Sequence, residues 1–82
     1  MPGTRPRRVG PVELARREHG AIEVALFWDP ATSRVTVVLW NWASGACLHM
    51  DVEPHQANYA FTHPYAYAAQ HGISPQDIRH AA

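Results

Sequence analysis

From residue 21 to residue 52, strand-length runs hold a large apolar residue at every second position, the first two runs largely apolar on both faces and the third in clean apolar–polar alternation. That period is the signature of half-buried β-strands. The alternation comes in three runs, 21–28, 34–42 and 46–53, so it predicts a three-stranded antiparallel meander. Asp29-Pro30-Ala31-Thr32-Ser33 separates the first two runs. Pro30 suits a turn because its φ is fixed, and the Asp29 side chain can accept from its own downstream backbone. Ala43-Ser44-Gly45 separates the second and third runs, with Gly45 free to take a positive φ.

Residues i and i+2 of a strand share a face. One face collects Ile22, Val24, Leu26, Trp28, Val35, Val37, Leu39, Leu48, Met50 and Val52. Pairing Leu26 with Val37, and Leu39 with Leu48, keeps all of these on one side. The other face carries Phe27, Val38, Trp40 and Trp42, with Cys47, His49 and Asp51 beside them. A small domain with one helical layer covers one face of its sheet. The second face then needs another occupant, and the N-terminal segment folding back over it is one.

The flanks read as helical. Pro11 at a first helical position and Gly20 just past the end predict a short helix over 11–19, with Glu13 and Arg17 paired at i, i+4. Val12 and Leu14 also permit a strand there. Pro54 ends the sheet and opens a turn or two of helix to about residue 61. His63-Pro64 interrupts it, and Pro64 opens a second helix that closes at Gly72. Tyr65, Ala68 and Ala69 are expected to form its inner face. Ser74-Pro75-Gln76-Asp77 has the form of a third helix start. The expected architecture is α+β: the meander, C-terminal helices on its Val/Leu face, and a short N-terminal helix.

Eighty-two residues make one domain, and a core of this size leaves a thin stability margin. Residues 1–10 are rich in proline, glycine and arginine and lack periodicity, so they read as a disordered basic arm ahead of a single domain over 11–82. Five arginines against one glutamate put +4 on residues 1–17, and two arginines against six acids put −4 on the remainder. The arm therefore offers nucleic-acid binding through Arg5, Arg7, Arg8, Arg16 and Arg17. Against this stand an acidic body and the absence of a groove-reading motif. Cys47 is the single cysteine, so no intrachain disulfide forms, and a reducing, cytoplasmic setting is expected. The apolar runs fall short of the roughly 20 residues of a membrane span, so no membrane partner is expected.

Among the chemically able side chains, Cys47, His49 and Asp51 alternate on one strand and share a face. They are competent zinc ligands, or the parts of an activated thiol. Same-face neighbours on a strand stand roughly 6.5–7 Å apart, and no fourth ligand has a diagnostic spacing. An ordinary polar face with a small thiol is the plainer account, and no cofactor is expected. His55, His63 and His71 are too far apart on a helix for one ion. Trp28, His63, Tyr65 and Tyr67 form a candidate ligand pocket if the chain brings them together. Otherwise the tyrosines pack on the sheet.

Two stretches carry a resemblance. Residues 20–30, with Leu26-Phe27-Trp28-Asp29, and residues 61–69, with Phe61-Thr62-His63-Pro64-Tyr65-Ala66-Tyr67-Ala68, resemble a group of small uncharacterised actinobacterial proteins. Those share a Leu-x-Trp-Asp hairpin and a Phe-x-His-Pro-Tyr-Ala-Tyr-Ala ending. The resemblance spans residues 12–71 and implies a common fold without adding chemistry. The residues themselves point to a small non-enzymatic interaction module. It is expected to self-associate as a homodimer, or else to bind another protein, through Phe27, Val38, Trp40 and Trp42.

Overall fold

In the structure, a computed structural model that describes residues 10–77, four long strands form one antiparallel sheet. They are β1 (Val12–His19), β2 (Ile22–Asp29), β3 (Arg34–Asn41) and β4 (Ala46–Val52). A 3-10 turn (Pro54–Gln56) then leads into α1 (Ala57–Thr62) and α2 (Pro64–Gln70). A two-residue strand, β5 (Gln76–Asp77), pairs with Ala46 and Cys47 at the far edge. The sheet order is sequential, β1 to β5, and the fold is α+β.

The expected meander is present in the expected register. Leu26 pairs with Val37, and Leu39 with Leu48. Val24, Val37, Leu39, Leu48 and Met50 are buried on the inner face against Ala60, Tyr67 and Ala68 of the helices. Burying apolar side chains is the dominant favourable term here, at about 25 cal/mol per Å² removed from water.

Three expectations change. Residues 12–19 form a strand rather than a helix, which makes the sheet four long strands instead of three. Gly20 does not end a helix. It takes φ +60° as the first residue of a two-residue turn that pairs His19 with Ile22. Glycine at that position of a tight hairpin turn matches the twist of the flanking strands. The pairing shifts between Glu13 and Ala15, so Leu14 bulges out and is 56% exposed. Glu13 and Arg16 thereby share a face, and Glu13 pairs with Arg16 at 2.7 Å instead of with Arg17. Second, residues 76–77 join the sheet edge in place of starting a helix. Third, the inner face of α2 is Pro64, Tyr67 and Ala68, at i, i+3 and i+4, while Tyr65 and Ala69 face outward.

Pro64 does open α2 and Gly72 does close it. The Ile73 N–H donates to the Ala68 carbonyl at 2.9 Å, and the Gly72 N–H to that of Ala69 at 3.4 Å. With Gly72 at φ +67°, this is the Schellman arrangement that satisfies the last carbonyls of a helix. None of the described helices is long and apolar enough to cross a membrane. The disordered arm expected over 1–10 lies outside the described residues except for Gly10, which is half-buried.

Candidate functional site

The helices pack on the inner face, and β1 extends the sheet edgewise instead of folding over the outer one. Among the described residues the outer face therefore carries no second layer. Strand pairing lays it out in three rows. Glu13, Phe27, Thr36 and Asp51 form the first, and Arg16, Ala25, Val38 and His49 the second. Glu18, Glu23, Trp40 and Cys47 form the third. Trp42 follows just beyond the end of β3.

Ala25 and Val38 at the centre are buried even though they point away from the helices. Larger neighbours in the adjoining rows surround them. Beside them, Phe27, Thr36, Val38 and His49, with Pro11 at the rim, line an open concavity of about 320 Å³. Its walls are apolar apart from the threonine hydroxyl and the imidazole, which is the common make-up of a recognition site.

The other half of the face is an ordered charged and aromatic cluster. Arg16 donates to the Glu13 carboxylate from Nε at 3.1 Å and from Nη2 at 2.7 Å. Its Nη1 donates to Glu23. Its guanidinium lies 5.4 Å from the Trp40 ring centre, a cation–π distance. The hydrogen bond from Arg16, with its charge, holds the Glu13 carboxyl below the usual range. The Trp42 Nε1–H donates to Glu23 Oε1 at 3.0 Å, and its ring lies parallel to Trp40, 6.2 Å between centres. Trp42 nevertheless stays 57% exposed.

Cys47, His49 and Asp51 share the face as the alternation predicts, but their chemistry is dispersed. Asp51 accepts from Arg34 Nη1 at 3.1 Å and from the Thr36 hydroxyl at 3.4 Å. Burial pushes the Cys47 thiol up, away from the thiolate that metal binding or nucleophilic attack needs. Among the described residues, no three His, Cys, Asp or Glu side chains gather as a metal site.

Trp28, His63, Tyr65 and Tyr67 serve separate places. Trp28 lies opposite Val12 and Val35 at one end of the sheet, 39% exposed. Tyr67 is buried at 2% exposure, and its hydroxyl accepts from the Glu53 N–H at 3.2 Å. His63 leans on the Tyr59 ring, and Tyr65 is 49% exposed. None of the four lines the concavity.

Of the five arginines offered to nucleic acid, Arg5, Arg7 and Arg8 lie outside the described residues. Arg16 is held by Glu13, Glu23 and Trp40. Arg17 reaches across the inner face and donates to the Phe61 carbonyl at 3.0 and 2.8 Å, and to that of Thr62 at 3.3 Å. Sequence reasoning did not single out Glu23, although alternation with Phe27 puts it on this face. Glu13, Arg16 and Pro11 reach it only because residues 12–19 form a strand bulged at Leu14, and no residue pattern announces that bulge.

No family model, no curated protein and no solved structure matches this chain. The resemblance to the small actinobacterial group thus stands on the residues quoted for it alone.

Proposed function

We propose that this protein is a small non-enzymatic interaction module that self-associates through its outer sheet face. The observation that carries the reading is that face itself. Phe27 and Val38 line an open concavity there, Trp40 and Trp42 stack on the other half of the face, and the described helices pack on the opposite side. An apolar concavity with exposed Trp42 and the Trp40 ring near it, rimmed by charge, is the kind of surface that marks interaction sites in small proteins. Tryptophan is the residue type most enriched at binding hot spots, and a sheet face is readily self-complementary about a two-fold axis. A protonated Cys47 and the dispersed Asp51 favour binding over catalysis at this site, and the lone thiol suits a reducing compartment.

Sedimentation equilibrium across a wide concentration range tests the reading. The wild-type chain is expected to be dimeric at low micromolar concentration. Trp40→Glu is expected to be monomeric with an unchanged circular dichroism spectrum, because Trp40 lies outside the core cluster. A variant that keeps the wild-type mass, or a wild-type chain that stays monomeric throughout, contradicts it.

A further inference from the structure

The concavity has a neighbour in its own chain: we propose that residues 1–9, which lie outside the described residues, fold back across the outer face as a strap. Val9 then sits in the concavity against Phe27 and Val38, with Arg5, Arg7 and Arg8 among the acids that flank it. The docking does not depend on self-association. It does narrow the surface left for a second copy to the Trp40–Trp42 half of the face.

The point of entry favours this occupant. Of the residues lining the concavity, Phe27 comes from β2, Thr36 and Val38 from β3, and His49 from β4. The fifth, Pro11, lies one residue ahead of β1. The backbone bends at Gly10, which is half-buried, so the chain does not run on straight past the end of the sheet. It enters β1 at the concavity itself. Val9 stands two residues from Pro11, within about 7 Å of it between Cα atoms. Residues 1–9 span roughly 30 Å when extended. From β1 to β4 the face is three strand spacings wide, about 14 Å, so the segment is long enough to cross it.

Charge and polarity match as well. The three rows of the outer face carry Glu13, Asp51, Glu18 and Glu23 against Arg16, a net −3. Asp29 and Arg34, paired at the neighbouring end of the strands, cancel. Residues 1–9 hold Arg5, Arg7 and Arg8 with no acid, a net +3. Glu13 and Asp51 stand at the two ends of the row that holds Phe27 and Thr36, and both keep exposed surface. A segment crossing that row passes from one carboxylate to the other, with an apolar hollow of about 320 Å³ between them. An aliphatic side chain flanked by arginines suits that order. A segment tethered this closely also meets the face at an effective concentration of about a millimolar, so contacts too weak to hold a free partner suffice to dock it.

Nuclear magnetic resonance on the full chain tests the strap. The Val9 methyls are expected to show an Overhauser contact with the Phe27 ring. Backbone order parameters of residues 7–9 are expected to approach the roughly 0.85 of rigid backbone. In Val9→Asp, and separately in the triple variant Arg5→Glu, Arg7→Glu and Arg8→Glu, they are expected to fall below about 0.6 while the strands keep theirs. A wild-type segment already below that value without the Phe27 contact overturns the docking, as does a Val9→Asp chain as ordered as wild type. A mixed sample of labelled and unlabelled chains separates the remaining occupant: a Val9–Phe27 contact found only between copies overturns the strap within one chain. If the contact is present within a chain that sediments as a monomer at every concentration, the docking stands and self-association falls.

Discussion

Cys47 shows how far a single residue's surroundings decide its chemistry. It lies between Trp40 on β3 and Gln76 on β5, half-buried, and desolvation raises its pKa above the ordinary value of 9.0. Burial favours the neutral thiol because it penalises charge. Alkylation by iodoacetamide at pH 8 is therefore expected to be slower in the folded chain than in urea, with the folded rate rising at higher pH than the unfolded one. Equal rates would remove the argument. The linkage has a definite sign. The unfolded thiol ionises first as pH rises, so stability is flat below the unfolded value. It then falls as pH climbs from that value toward the folded one. Arg16 gives the opposite lesson. Its contacts are specific, but Glu13 is exposed and solvent screens the pair, so the pair orders side chains on the face and contributes little stability.

At the scale of elements, the two loops of the β2–β3–β4 meander are built alike from different residues. Asp29 Oδ1 accepts from the Ala31 N–H at 2.9 Å, and Asn41 Oδ1 accepts from Ala43 and Ser44 at 3.1 Å. The Ser33 N–H returns to the Asp29 carbonyl at 2.7 Å, and the Gly45 N–H to that of Asn41 at 2.8 Å. The Arg34 N–H donates to the Thr32 hydroxyl oxygen at 3.3 Å, and the Ala46 N–H to that of Ser44 at 3.2 Å. The last loop residue is left-handed in both, Gly45 at φ +79° and Ser33 at φ +60°. A residue with a Cβ pays roughly 1–2 kcal/mol there, and glycine's extra unfolded-state entropy returns part of it. Ser33→Gly is thus expected to stabilise the protein by about 0.5–1 kcal/mol, read as a higher urea midpoint at unchanged slope. A lower midpoint would mean that the serine contributes more than its φ costs.

At the scale of the whole molecule, one layer of short helices covers one face of a sheet, and the Arg17 side chain ties the first strand to it. Arg17 projects from β1 onto the carbonyls of Phe61 and Thr62, the last of α1, with its guanidinium 5.4 Å from the Phe61 ring centre. A cation at a helix C-terminus meets both the orphan carbonyls and the negative end of the dipole. Hydrogen bonds from a charged donor contribute about 1.5–3 kcal/mol net, so Arg17→Ala is expected to destabilise by that order in urea unfolding. Arg17→Lys is expected to recover only part, because one ammonium cannot reproduce the planar fork. An unaffected Arg17→Ala variant would show that β1 is held by its pairing with β2 alone. The outer face, which no described element covers, belongs to this scale too, since only the described elements taken together show which side they leave open.

The period-two pattern by itself determined the three central strands, their turns, their register and the division of side chains between two faces. A one-residue slip would move every Val and Leu into water, so those choices are local and steep. Proline and glycine likewise marked the start and end of α2, because their backbone limits hold in any context. Tertiary structure alone decided the rest. Residues 11–20 satisfy a weak helix pattern and a weak strand pattern equally. The free edge of β2 settled the matter by offering backbone partners that an isolated short helix lacks. With β1 placed and bulged at Leu14, Arg16 and Arg17 part to opposite faces, one to the tryptophans and one to the end of α1. Charge and spacing along the chain could not separate two adjacent arginines, because the face each occupies depends on residues 12–19 being a strand bulged at Leu14, and the carbonyls that Arg17 meets lie 44 and 45 residues away.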